Sequence, residues 1–195
     1  MPHNRLGYPV ILASASPRRQ ELLHHLVKEF QIVVVPVDEE ALTLADPWQT
    51  AQRLAREKAL AVFALNPEAL VIAGDTVVAL PGVGGYQQLS KPGSKSEAIA
   101  MLQALSGHVH VVITGVALRW PGGLIAFTDE TKVTFDEICM EDIIAYVETG
   151  EPMDKAGAYA IQGGAAKFVT RLEGSRNNVI GLPTEKLSEA LRDIR

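Results

Sequence analysis

Three patterns of apolar and polar positions recur along this chain, and each predicts a different element. Short uninterrupted apolar runs mark strands. Val10-Ile11-Leu12-Ala13 reads as a short buried strand, and Phe30 to Val35 as a strand that Pro36 stops. Ala69-Leu70-Val71-Ile72-Ala73 is apolar at every position, as a central strand covered on both faces requires, and it ends at Gly74-Asp75-Thr76 before Val77-Val78-Ala79-Leu80. Val37-Asp38-Glu39-Glu40 places an acidic cluster at the end of the second strand.

Helical spacing gives the second pattern. Ala51, Leu54, Ala55, Ala59 and Val62 form one stripe, which predicts a helix from Pro47 to about Asn66. Asp46 is its N-cap, Pro47 its first residue, and Gln49 completes a capping box. Lys58 falls on the same core-facing stripe, so it must either snorkel to solvent or meet an anion. Ser94-Lys95-Ser96-Glu97 is a second capping box opening a helix to about Leu105. Met140 to Thr149 presents Ile143, Ile144 and Val147 as an apolar face and stops at Gly150, and Pro183 to Arg192 reads as a last helix.

Longer strand-and-turn units make the third pattern. Pro81 to Gly85 is a hairpin tip whose return strand leads to Leu89-Ser90-Lys91, bringing Lys91 back toward the start of the hairpin and Asp75. His108 to Leu118 pairs through Pro121-Gly122-Gly123 with Leu124 to Phe135, and Lys167 to Leu172 adds a last strand before a turn at Gly174. Between Gly150 and Gly164 no period is sustained. That segment is read either as an irregular surface loop with an Asp154/Lys155 pair or as a loop whose small residues let backbone approach a ligand.

Composition narrows the class. With 195 residues, 47% of them hydrophobic, the chain is long enough to bury a core in one domain or two tightly joined lobes. A net charge of -5 and the lack of a Lys/Arg block argue against broad nucleic-acid binding, so any basic site must be local. The single cysteine, Cys139, leaves no internal disulfide and reads as a core or near-surface packing residue in a reducing, cytoplasmic protein. Met1 to Tyr8 is polar and too short for a signal peptide, and no apolar run approaches membrane-spanning length. His108 and His110 share a strand face, but no third ligand has a familiar zinc spacing, so packing is the expected role. Trp48 and Trp120 are likewise expected to pack.

The local basic site is found at Ser14-Ala15-Ser16-Pro17-Arg18-Arg19. Ser16 and Pro17 suit the cap and first position of a helix, but two arginines follow where the helix dipole is already positive. Free backbone N–H groups at a helix start with two guanidiniums make a site for phosphate. The alternative is that both arginines face solvent or pair with Glu21 or a distant carboxylate. Elsewhere the chain offers Lys58, Lys91 and Lys155 as cations and Glu39, Glu40, Asp75 and Asp154 as carboxylates. That inventory suits hydrolysis of a phosphoanhydride, with cations on phosphate oxygens and carboxylates on a divalent metal or an attacking water. Asp75 is placed for that role beyond a buried strand, unless it only caps a turn. No Gly-x-Ser-x-Gly elbow supports a serine nucleophile.

The block Leu12 to Leu23, Gly74-Asp75-Thr76-Val77-Val78, Lys91-Pro92, Leu105-Ser106-Gly107 through Thr114-Gly115-Val116, Asp154-Lys155-Ala156-Gly157-Ala158-Tyr159-Ala160-Ile161-Gln162 and Gly181-Leu182-Pro183 resemble, in order, the signature blocks of the Maf nucleotide pyrophosphatases. The resemblance implies a mixed α/β fold, a twisted sheet with flanking helices forming two lobes around a central cleft. It implies hydrolysis of a nucleoside triphosphate to monophosphate and pyrophosphate with a divalent cation, Mg²⁺ or Mn²⁺, and it favours a homodimer. Residue by residue, it makes Asp75 the general base and Glu39 a metal or water ligand alongside Asp75. Lys58 and Lys91 join Ser14, Arg18 and Arg19 as phosphate and substrate contacts. Arg18, Thr76 and Gln162 match the branch acting on dTTP and UTP, with Arg18 helping to choose the base. Two alternatives stay open: a pyrophosphatase for modified or purine triphosphates, and a non-catalytic nucleotide-binding regulator of septum formation. The Leu80 to Ser90 hairpin is longer than the family pattern, and Arg176-Asn177-Asn178 replaces its aromatic-containing turn.

Overall fold

In the computed structural model, which describes residues 7–194, every residue of β1 (Val10–Leu12) is buried, and the chain then turns through small residues into α1 (Pro17–His24). Ser16 caps α1 as expected, its hydroxyl accepting from the Arg19 N–H at 3.4 Å. The first six residues of the polar N-terminal segment lie outside the described residues.

The next strand is much shorter than its apolar run suggests. β2 (Gln31–Ile32) pairs in parallel with Ile11 and Leu12 and then stops, because β1 itself ends at Leu12 and leaves Val34 and Val35 no ladder to join. Nor does the acidic cluster end a strand. Asp38 accepts from the Ala41 N–H at 3.0 Å and caps a one-turn helix, α2 (Glu39–Leu42), whose positive end favours acidic residues. Asp46 likewise caps α3 (Pro47–Leu65) through the Gln49 N–H at 2.9 Å, and the predicted stripe Ala51, Leu54, Ala55, Ala59 and Val62 is buried throughout.

β3 (Leu70–Gly82) is one continuous strand and not a strand followed by a turn at Gly74-Asp75-Thr76. Leu70–Ile72 pair in parallel with β1, and Val78–Gly82 pair antiparallel with β4 (Gly85–Leu89) across a Val83-Gly84 tip. Asp75 therefore sits within the strand, between the two registers. It lies just past the end of its parallel segment.

α4 (Lys95–Leu105) starts with the second capping box, Ser94 Oγ accepting from Glu97 N–H at 3.2 Å and Glu97 Oε2 from Gly93 N–H at 2.8 Å. The long strands follow as β5 (Val109–Trp120) and β6 (Gly123–Phe135). α5 (Met140–Glu148) buries Ile143, Tyr146 and Val147, a true i, i+3, i+4 face, whereas Ile144, expected on that face, is 43% exposed. Short 3-10 turns occupy the aperiodic Gly150 to Gly164 segment before β7 (Val169–Glu173). A short helix that no local pattern signals, α6 (Arg176–Ile180), precedes α7 (Thr184–Arg192). The strands are hydrogen-bonded in the order β2-β1-β3-β5-β6-β7, with β4 paired to β3 off that path.

The chain divides into two compact units. The first holds residues through Asp75, Thr114–Asp129 and the chain from Gly181. Its core packs the α3 stripe against Ile11, Val71, Ala73 and Ala117. Gly115 allows that packing, since a Cβ there would lie 2.1 Å from the Ala51 carbonyl oxygen. The second unit holds Thr76–Ile113 and Glu130–Ile180, with Val78, Leu102, Leu105, Phe135, Ile143 and Phe168 in its core. Among the described residues no helix is long and apolar enough to cross a membrane.

Candidate active site

Lys58 reaches from the middle of α3 and meets anions. Its Nζ lies 2.6 Å from Asp75 Oδ1 and 2.6 Å from Glu39 Oε1. Three elements converge there: the long helix α3, the strand β3 and the one-turn helix α2. The side chains of Lys58 and Asp75 are 17% and 13% exposed, so this pair is shielded from bulk water without being sealed from it. Glu39, at 54%, is its solvent-facing partner. The position of α2 is fixed by Thr50 at the start of α3, whose hydroxyl donates to the Leu44 carbonyl and accepts from the Leu44 N–H, both at 3.0 Å.

Arg19 occupies the same unit. Its Nε donates to the Gly181 carbonyl at 2.8 Å and its Nη1 to Ser14 Oγ at 3.2 Å. Ser14 Oγ also accepts from the Ser16 N–H at 3.3 Å, tying the turn after β1 to the guanidinium. A Cβ on Gly74 would lie 3.3 Å from Arg19 Nε, so the glycine before Asp75 is what lets the arginine lie along β3. Burial lowers the Arg19 pKa from its ordinary value; Asp75 and Glu39 oppose that effect and Arg18 adds to it. An arginine keeps its charge through such a shift, so Arg19 is a fixed cation in the field of both carboxylates. Arg18, half-buried beside it, contributes a second positive charge.

Of the residues singled out from the sequence, the first unit thus joins Glu39, Lys58 and Asp75 in one contact group, and Ser14 and Arg19 in another. Thr76, Lys91 and Gln162 belong to the second unit. Thr76 is half-buried on β3; Lys91 is exposed two residues beyond Leu89, the partner of Val78; Gln162 is exposed on a turn. Asp154 and Lys155 form the local ion pair expected of a surface loop, and Lys155 also donates to the Glu151 carbonyl at 3.3 Å. Glu40 is exposed. Sequence reasoning missed the Gly181 carbonyl that holds Arg19, because 162 positions separate the two. Only the Gly181-Leu182-Pro183 motif hinted at it.

The other candidates are structural. His110 is fully buried, its Nε2 2.8 Å from the Tyr159 hydroxyl, while His108 is exposed with Nδ1 against the Ser106 carbonyl, so the two do not make a metal pair. Trp120 is buried and Trp48 half-buried. Cys139 is exposed at the start of α5, its thiol donating to Asp142 Oδ2, and not in the core. Arg176-Asn177-Asn178 opens α6, where Asn178 is buried and donates to the Val112 carbonyl at 2.9 Å and to Thr131 Oγ1 at 3.0 Å. That departure from the family pattern is an internal brace.

As a metal site, the donor set is sparse but of one kind. Among the described residues no group of three or more His, Cys, Asp and Glu could hold an ion. Two carboxylate oxygens already share a single cation, the Lys58 ammonium. Such a pair fits Mg²⁺ or Mn²⁺, hard ions that take one or two carboxylates and complete their shell with water and substrate phosphates.

The mixed sheet with flanking helices defines a fold also seen in the Ham1 protein of Staphylococcus aureus, which aligns over 96% of this chain and 100% of that chain with a TM-score of 0.54 at 15% identity. A family model described as Maf-like protein matches residues 9–194. The chain belongs to the Maf-like family. It is 47% identical over 187 residues to a protein of Koribacter versatilis named dTTP/UTP pyrophosphatase, covering 96% of this chain and 95% of the relative. Relatives with the same name from a Geobacillus species and Aquifex aeolicus are 47% and 43% identical, each over 95% of this chain and 95% or more of the relative.

Proposed function

We propose that this protein is a nucleoside triphosphate pyrophosphatase that hydrolyses the α–β phosphoanhydride of dTTP and UTP. The observation that carries the reading is the 47% identity, over 96% of the chain, to a relative named for that activity. The site chemistry supports it. Water attacks phosphorus, a new P–O bond forms to the water oxygen, and the anhydride P–O bond breaks to release pyrophosphate and the monophosphate. Asp75 orients that water and takes its proton. Lys58 holds the Asp75 carboxylate in place in the resting site and is poised to turn toward phosphate oxygens as substrate arrives. Ser14 and Arg19 hold phosphate, Arg19 on a rigid mount and therefore without loss of side-chain freedom on binding. Arg18 helps to select the base. For Thr76, Lys91 and Gln162 the assignment as substrate contacts rests on their motif match.

Glu39 and Asp75 are the residues that would hold a divalent ion, Mg²⁺ or Mn²⁺, which when bound supplies positive charge to the polyphosphate. The same reading has the protein act in the cytoplasm on free nucleotides, with no nucleic-acid or membrane partner, as a homodimer. Purine or modified triphosphates as main substrates, and non-catalytic regulation, are not favoured by the relatives. The test is a panel of pyrimidine, purine and modified triphosphates on one preparation with the products identified. Preferred turnover of dTTP and UTP is expected, and saturable binding without pyrophosphate release would overturn the reading.

A further inference from the structure

Within the second unit, one phenol and one carboxylate grip the backbone on both sides of Gln162. Tyr146, buried on α5, donates its hydroxyl to Glu151 Oε1 at 2.8 Å and accepts from the Ala160 N–H at 3.1 Å. Glu151 Oε2 accepts from the Gly164 N–H at 3.2 Å. Between those anchors the Gly163 N–H closes a turn onto the Ala160 carbonyl at 3.1 Å, with Ile161 buried and Gln162 exposed. The two glycines after Gln162 make room for the pair. A Cβ on Gly163 would fall 2.0 Å from Glu151 Oε1, and one on Gly164 3.0 Å from Tyr146 Cδ2. Gly163 has a φ of -110°, so it is required there for space and not for a left-handed backbone.

This geometry exceeds what closing a surface loop needs. Isolated turns are held by their own i to i+3 bond; here a carboxylate 13 residues upstream of Gly164 and a phenol from a packed helix fix two further backbone N–H groups. The Glu151 carboxylate adds a charged acceptor to that frame, and a bond to an ionised acceptor is stronger than one between neutral groups. The residue so presented carries an amide, which offers both a donor and an acceptor and thus suits the edge of a pyrimidine base.

We propose that Tyr146 and Glu151 form a positioning pair that sets the placement of Gln162, and through it the affinity and base preference for the nucleotide. The proposal rests on the reading of Gln162 as a substrate contact. Neither residue touches substrate; each acts through the Ala160–Gly164 backbone.

The test is a double-mutant cycle in the full-length protein, read as KM and kcat for dTTP and dGTP at a temperature where every variant is folded. Tyr146→Phe keeps the ring that packs on Phe168 and removes only the hydroxyl. It is expected to raise KM for dTTP by about tenfold, to change kcat by less than about twofold, and to narrow the preference for dTTP over dGTP. In a Gln162→Ala background the same substitution is expected to add no further rise in KM. Gly163→Ala gives an independent arm: it should raise KM by ejecting Glu151, and lose that effect in a Glu151→Ala background. A purely structural pair would lower thermal stability with KM and base preference unchanged in Tyr146→Phe and Gly163→Ala, and that result overturns the proposal. So does a full additive effect of Tyr146→Phe on top of Gln162→Ala. Absence of pyrophosphate release by the wild-type protein would instead overturn the functional reading itself, and the proposal with it.

Discussion

Lys58 and Asp75 are joined across 2.6 Å, helix to strand, and the lysine turns the same ammonium to Glu39. A cation on the core-facing stripe of α3 thereby stands between two carboxylates.

If Asp75 orients and deprotonates the attacking water, Asp75→Asn keeps the shape of the side chain and its bond to Lys58 but removes the base. Steady-state pyrophosphate release should show kcat lowered by about 10²–10⁴-fold, with KM changed far less. An equal rise in KM with kcat preserved would assign Asp75 to binding.

Lys58→Met leaves Asp75 shielded and without its partner. A loss of about 2 kcal/mol in unfolding free energy is expected from urea denaturation, most of it through Asp75 because Glu39 is solvated. Adding Asp75→Asn to Lys58→Met should recover part of that stability, since the uncompensated charge is gone.

Much of this was legible in local sequence. The caps at Ser16, Asp46 and Ser94, the α3 stripe and the β5–β6 pair are signals confined to a few residues, and Lys58 betrayed itself by breaking its stripe. What failed was decided by partners distant in the chain. Phe30 to Val35 has the composition of a strand, yet β1 is too short to pair with more than Gln31 and Ile32. Gly74 looked like a strand end because nothing local says that β3 exchanges one pairing partner for another around Asp75. The Gly181 carbonyl on Arg19 and the brace at Asn178 are tertiary contacts with no periodic signature.

His110 sets a pH dependence of stability. Burial pushes its pKa down to about 3, so the folded imidazole stays neutral while the unfolded chain takes up a proton near the ordinary value of 6.5. The unfolded state therefore binds more protons as pH falls from about 6.5 toward 3, and stability is lost over that window. Between pH 7 and pH 5 the loss from this group is about 2 kcal/mol. Unfolding free energies from urea titrations at the two pH values should differ by that much less in His110→Gln than in wild type.

Gly115→Ala should abolish folding of the first unit or cost more than about 3 kcal/mol. The added methyl meets the Ala51 backbone at 2.1 Å, and backbone of a packed helix cannot swing aside as a side-chain end can. Circular dichroism melting against wild type reads the effect.

The central claim is tested most directly by incubating the wild-type protein with dTTP and Mg²⁺ and identifying the products by ³¹P NMR. The account predicts dTMP and pyrophosphate in equal amounts, with the reaction suppressed by chelator and by Asp75→Asn. Formation of dTDP and orthophosphate, or release that persists undiminished in Asp75→Asn, would contradict it.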